Sequence, residues 1–123
     1  MKHIDPTQFI PFDSPDLPSL SVLDQPLVNA STDKAARAIL APGRKTVFFF
    51  NAHCANERAK NPRYDIALRR ADYVLPDGIG IELAAKMDGK ALEANLNGTD
   101  FVPELLQRAV PTGKSVYLLG GKP

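Results

Sequence analysis

A single cysteine, Cys54, stands in the 123 residues. That count excludes an internal disulfide and any zinc site built on several cysteines, and it leaves a buried free thiol as the residue's expected role. No apolar run approaches the ~20 residues of a membrane span. The longest, Thr46-Val47-Phe48-Phe49-Phe50, is strand-sized. The opening Met1-Lys2-His3-Ile4-Asp5-Pro6 has no apolar segment of the kind a secretory signal carries, so a cytoplasmic protein is the expectation. Charge of neither sign prevails, the formal balance being +1, and no whole-chain field invites nucleic acid. What remains is ordinary globular composition, 44% apolar and 24% charged, in a chain long enough for one domain.

Five of the eleven prolines, Pro6, Pro11, Pro15, Pro18 and Pro26, fall early, interleaved with Asp and Ser. Neither the strand period nor the helix period survives there, so residues 1–20 read as a Pro-rich mobile leader and residues 21–123 as the folded part. Ser21-Val22-Leu23 and Pro26-Leu27-Val28-Asn29 are candidates for a short strand pair. Ser31-Thr32-Asp33 supplies N-cap chemistry for a helix carrying Ala35, Ala36, Ile39 and Leu40, ended by Pro42-Gly43. Lys45 to Asn51 has no polar alternation after Thr46, the pattern of a central parallel strand covered on both faces.

Two helical pieces, Cys54 to Lys60 and Pro62 to Arg70, break near Asn61-Pro62, because proline is tolerated in a first helical turn and not inside a helix. Tyr73-Val74-Leu75 reads as a second strand, followed at once by a helix with Ile79, Leu83 and Met87 at helical spacing, closed by Asp88-Gly89. Thr99 or Asp100 is expected to cap a helix whose faces are Phe101/Leu105/Ala109 and Val102/Leu106 and which Pro111-Thr112-Gly113 ends. Ser115 to Leu119 reads as a third strand. Strands alternating with helices predict an α/β fold, a Rossmann-like parallel sheet with flanking helices.

In that layout three loops converge at the carboxyl edge of the sheet, where open α/β sheets bind ligands: Asn51-Ala52-His53, Pro76-Asp77-Gly78 and Gly120-Gly121-Lys122. Gly98-Thr99-Asp100 joins them from another helix N-terminus. Pro76 cannot donate to a ladder and Gly78 permits a sharp turn, which delivers Asp77 to the junction of strand and helix. Asp77 as a simple turn-former and helix cap is the plainer alternative. Gly78-Ile79-Gly80 is followed by Ile81, Glu82 and Leu83, so the third glycine of a dinucleotide fingerprint is missing.

Amides, a carboxylate, a hydroxyl and bare glycine N–H groups around one crevice suit a phosphorylated ligand and a proton acceptor. His53 beside Cys54 is no nucleophile pair, since neighbours on a helix point apart; His53 is instead a candidate pocket hydrogen-bonder. Arg58, Lys60, Arg63, Arg69 and Arg70 form a basic cluster, diluted by Glu57 and Asp65, that reads equally as a solvated face or as a surface for anionic lipid or diphosphate.

Four blocks in order carry a resemblance: Phe-Phe-Phe-Asn51-Ala, Ala-Asp-Tyr-Val-Leu-Pro-Asp77-Gly78-Ile-Gly80, Asn97-Gly98-Thr99-Asp100 with Pro103-Glu104-Leu105-Leu106, and Tyr-Leu-Leu-Gly120-Gly121-Lys122-Pro123. With them the chain resembles the WecG/TagA/CpsF family of bacterial glycosyltransferases from about Ser21 onward. The resemblance implies transfer of a sugar from a UDP-sugar donor to a polyprenyl-diphosphate-linked saccharide acceptor in cell-surface polysaccharide synthesis. It further implies inversion, no cofactor or tightly bound metal, and peripheral contact with the inner face of the plasma membrane.

By that resemblance Asp77 matches the proposed general base and Asn51 a pocket residue. Gly98, Thr99 and Asp100 match a pocket wall, and Gly120 and Gly121 lie where backbone would approach the donor diphosphate. Two positions depart from some members, which carry Thr at the place of Phe49 and Arg at the place of Asn95. Members also continue beyond Gly-Gly-Lys-Pro, so the expectation is the N-terminal part of the family domain, truncated at the C-terminus and incomplete alone. A non-catalytic nucleotide- or partner-binding remnant of the same fold stays open, as does a homo-oligomer.

Overall fold

A computed structural model describes residues 17–122. Its first unit is a hairpin of β1 (Ser19–Val22) and β2 (Gln25–Val28), antiparallel with Ser19 opposite Val28 and Val22 opposite Gln25. The two-residue turn Leu23-Asp24 takes positive φ at both positions, 52° and 60°. That is the primed-turn geometry whose twist matches paired strands, and it is costly without glycine or asparagine.

Arg58 holds the turn from outside. Its guanidinium donates to the Leu23 carbonyl at 2.5 Å and to Gln25 Oε1 at 3.3 Å while lying 5.3 Å from the centre of the Phe50 ring. Leu17 is already fully buried. The expected leader falls largely on residues 1–16, outside the described residues.

Helix α1 (Thr32–Leu40) starts at Ser31, whose hydroxyl accepts from the Lys34 N–H, and buries Ala35 and Ala36. After Pro42-Gly43 the chain enters β3 (Val47–Phe50), then α2 (Ala52–Lys60), α3 (Pro62–Arg70) and β4 (Tyr73–Pro76). Asn61 separates the two helices by ending the first and capping the second through the N–H groups of Arg63 and Tyr64. β3 and β4 pair in parallel, Val47 beside Tyr73 and Phe50 beside Pro76. The crossover helices are thus what the parallel pairing requires.

Helix α4 (Ile79–Met87) follows β4, Gly89 at φ 72° closes it, and α5 (Gly98–Ala109) passes into a 3-10 turn over Val110–Thr112. Gly113 at φ 72° ends that turn. Arg108 on α5 donates to Asp33 on α1, holding the Asp33 carboxyl below its usual range and tying the two helices at the surface. The described chain is thus mixed α/β, five helices around two small sheets.

Three expectations are corrected. The buried strand is β4, shielded along its whole length with β3 paired on one side and β2 packed beside it, whereas Val47, Phe48 and Phe49 of β3 are half-buried. The cap of α5 is Asn97, whose Oδ1 accepts from the Asp100 N–H, and Gly98 lies inside the helix. Ser115–Leu119 forms no strand: Tyr117, Leu118 and Leu119 are 86%, 84% and 91% exposed, and among the described residues β3 pairs with β4 alone. The five residues have strand propensity, but propensity supplies no partner ladder, and without one an extended segment leaves its peptide groups to water.

Candidate active site

The parallel register decides where the site lies. With Phe50 beside Pro76, the two strands end together, and Asn51 and Asp77 leave the sheet side by side. The Asp77 N–H donates to the Phe50 carbonyl at 3.0 Å, the last rung before the chains part.

Asn51 is the N-cap of α2, so its Oδ1 accepts from the Cys54 N–H at 2.9 Å. This fixes the other end of the carboxamide. Asn51 Nδ2 donates to Asp77 Oδ2 at 3.4 Å, and the Gly98 N–H, at the first position of α5, donates to Asp77 Oδ1 at 3.3 Å. One carboxylate thus joins three blocks of sequence that lie more than twenty residues apart. Both bonds sit near the long end of hydrogen-bond range, and a carboxylate has about four lone-pair sites. Half-buried Asp77 therefore keeps capacity for a further donor at either oxygen.

The plainer reading of Asp77 as a helix cap does not hold. Helix α4 takes Gly78 as its N-cap, with no side-chain cap bond. Gly78 has φ 92° and ψ 166°, a region that only glycine enters readily.

Asn95 grips this residue by both backbone groups. The Gly78 N–H donates to Asn95 Oδ1 at 3.0 Å, and Asn95 Nδ2 donates to the Gly78 carbonyl at 2.9 Å. One residue further on, the Leu96 N–H donates to the Pro76 carbonyl at 2.9 Å. In the sequence Asn95 stands out only as a position where some members carry Arg. The available signal was two asparagines, Asn95 and Asn97, on either side of an apolar Leu96, which is fully shielded in the fold.

Three helices, α2, α4 and α5, thus begin around Asp77, and their N-termini give that edge a positive field. Gly98 lies against the Phe49 ring, a Cβ there meeting ring carbons at 3.7–3.8 Å, and Phe49 meets Phe101 edge-on with ring centres 6.4 Å apart. His53 is exposed on the first turn of α2, and Thr99 is exposed one residue beyond Gly98. Asp100 turns back to its own helix start and accepts from Asn97 Nδ2 at 3.2 Å. Gly120 and Gly121 lie in the exposed segment after Gly113 with open space around them, because the third strand that would carry them to the crevice is not formed.

Cys54 is a free thiol as expected, but it is half-buried rather than buried. Its thiol faces the Phe49 carbonyl at 3.7 Å, and burial together with the hydrogen bond to Cys54 pushes the Tyr64 hydroxyl up to about 12. A cavity of about 380 Å³ opens elsewhere, beside Ser21, Asp24, Met87 and Lys90, at the opposite end of α4 from Asp77. Its lining shares no residue with the Asp77 cluster. Among the described residues no helix is long and apolar enough to cross a membrane.

Comparison with known proteins gives a family for the chain. A family model described as "Glycosyl transferase WecG/TagA/CpsF family" matches residues 20–123. A protein of Bacillus spizizenii named N-acetylglucosaminyldiphosphoundecaprenol N-acetyl-beta-D-mannosaminyltransferase is 39% identical over 70 residues, 57% of this chain and 27% of that protein. A Bacillus subtilis protein of the same name is 31% identical over 72 residues, 58% of this chain and 28% of its own length. The matched stretch is thus little more than a quarter of either relative.

Proposed function

The chain belongs to the WecG/TagA/CpsF family of glycosyl transferases, and on that premise we propose that Asp77 is the general base of a sugar transfer from a UDP-sugar to a polyprenyl-diphosphate-linked saccharide in cell-envelope polysaccharide synthesis. The observation that carries the reading is the carboxylate held by Asn51 and Gly98 at the shared end of two parallel strands, with a lone pair still free. The relatives' names place an N-acetyl-β-D-mannosaminyl group on N-acetylglucosaminyldiphosphoundecaprenol. An acceptor of that class is the natural first candidate here. The parallel β3–β4 pair with its crossover helices serves in this reading as the core of a Rossmann-like sheet.

The chemistry follows from the anomers. UDP-hexosamines are α-linked, so a β-linked product requires inversion by a single displacement. The acceptor hydroxyl oxygen forms the new bond to the anomeric carbon as the bond from that carbon to the diphosphate oxygen breaks. UDP leaves with the electron pair, and the hydroxyl proton passes to Asp77. Asn51 orients the carboxylate, and Gly98, with Thr99 and Asp100 beyond it, forms a wall of the same crevice. His53, exposed on the first turn of α2, is the group we assign to sugar hydroxyls or phosphate oxygens. An acceptor with a lipid part would hold the reaction at a membrane surface, in this reading the inner face, with the protein bound peripherally.

Charge on the leaving diphosphate is met in this reading by the N-termini of α2, α4 and α5 and by backbone N–H groups. The chain has no Asp-x-Asp pair, and among the described residues no three His, Cys, Asp or Glu side chains converge as a metal set. Incubating the full-length protein with UDP-N-acetylhexosamines and synthetic polyprenyl-diphosphate-N-acetylglucosamine is expected to give a β-linked disaccharide-lipid, with turnover unchanged by EDTA. Loss of turnover on chelation, restored by magnesium or manganese, would overturn the metal-free route. An α-linked product would overturn inversion.

A further inference from the structure

We propose that Asn95 is the positioning residue for Asp77, setting the direction of its carboxylate through the backbone on either side of it. The assignment rests on the role given to Asp77 above. The peptide before Asp77 offers the Pro76 carbonyl, taken by the Leu96 N–H, and the peptide after it offers the Gly78 N–H, taken by Asn95 Oδ1. The N–H of Asp77 itself is taken by Phe50 on the far side. Both peptide planes that flank Asp77 are therefore held, and its side-chain torsions are left to the bonds from Asn51 and Gly98.

Asparagine suits this place for a chemical reason. Its carboxamide presents one acceptor and one donor in a plane, matching the N–H and C=O of a single residue as a neighbouring strand would. Aspartate can accept from the Gly78 N–H but cannot donate to the carbonyl, and alanine can do neither. The same short segment, through Asn97 and the start of α5, also brings the Gly98 N–H to Asp77 Oδ1. Residues 95–98 thus hold the base both by its backbone and by its carboxylate. Asn95 has both ends of its amide bonded to Gly78, so it acts on Asp77 through the backbone.

The test separates positioning from binding. In the intact chain, Asn95→Ala is expected to lower kcat about 10- to 100-fold while KM for the UDP-sugar stays within about twofold, because a displacement of about an ångström is enough to cost that much. The Gly98 amide, followed by hydrogen exchange, should lose protection about tenfold as its bond to Asp77 loosens. Asn95→Asp, which keeps the acceptor and the size but sets an oxygen against the Gly78 carbonyl, should also fall below the parent on both measures and serves alone if the alanine variant does not fold. Unchanged kcat, or a loss confined to KM with Gly98 protection intact, overturns the assignment. If the parent chain transfers no sugar, the reading of the function falls instead, and Gly98 protection then decides whether Asn95 positions Asp77: unchanged protection in both variants overturns it.

Discussion

Asp77→Asn is expected to lower kcat by ~10²–10⁴-fold, the range for a lost general base, with KM for the UDP-sugar within about twofold. The carboxamide is nearly the size of the carboxylate, so the crevice keeps its shape. It is not silent in the hydrogen-bond network, however. The new side chain has one oxygen, and if that oxygen stays with the Gly98 N–H, its NH2 faces Asn51 Nδ2, donor against donor. Asn51 cannot turn over to relieve this without giving up the Cys54 N–H that it caps. A stability loss of about 1 kcal/mol should accompany the loss of turnover, the usual scale of one hydrogen bond. Steady-state kinetics with a urea titration on the same preparation separates the two effects. Undiminished kcat would remove Asp77 from the role of base.

Gly78→Ala is expected to be the more damaging change to the fold of the site. Nothing lies within 4 Å of a Cβ built at this position, so the cost carries no steric clash with neighbours. It comes from the backbone, because φ 92° with ψ 166° is a region closed to residues with a side chain, at about 1–3 kcal/mol. The chain can relieve that strain only by turning the peptide after Asp77, which breaks both bonds from Asn95 and moves the carboxylate from Asn51 and Gly98. A drop of 1–3 kcal/mol in unfolding free energy with at least a tenfold fall in kcat follows. Gly89→Ala is the matched control. Gly89 also has a positive φ, 72°, and open space around it, but it closes the far end of α4. That variant should lose about 1 kcal/mol and keep its kcat. Equal stability of Gly78→Ala and the parent would show that the turn is not held as described.

The elements that could be read from the sequence are those whose signals are local. Pro76-Asp77-Gly78 marks a strand end and a helix start within three residues, Asn61-Pro62 separates two helices, and Gly89 and Gly113 stop theirs; each appears in the fold where the chemistry puts it. The meeting of Asn51 with Asp77 was also legible, because two parallel strands of similar length must end together.

What failed depends on partners distant in sequence. Ser115–Leu119 has the composition of a strand, yet pairing is a property of two segments, and its exposed side chains show none. Asn97, Thr99 and Asp100 are all good caps, and side-chain preference alone does not choose among three within one turn. The role of Asn95 could not be read from that local pattern, since an asparagine beside an apolar residue in a polar loop looks the same whether it meets water or a backbone seventeen residues away.

The central claim is that the sugar nucleotide binds where β3 and β4 end. A titration of the isotope-labelled chain with a UDP-N-acetylhexosamine, followed in amide proton–nitrogen spectra, tests it most directly. Saturable shifts of the Gly78 and Gly98 amides and of the Asn51 side-chain NH2, weakly perturbed or absent at residues around the cavity at the other end of α4, are the predicted result. Gly78 and Gly98 unmoved at saturating nucleotide, or shifts confined to Ser21, Asp24, Met87 and Lys90, would contradict the account.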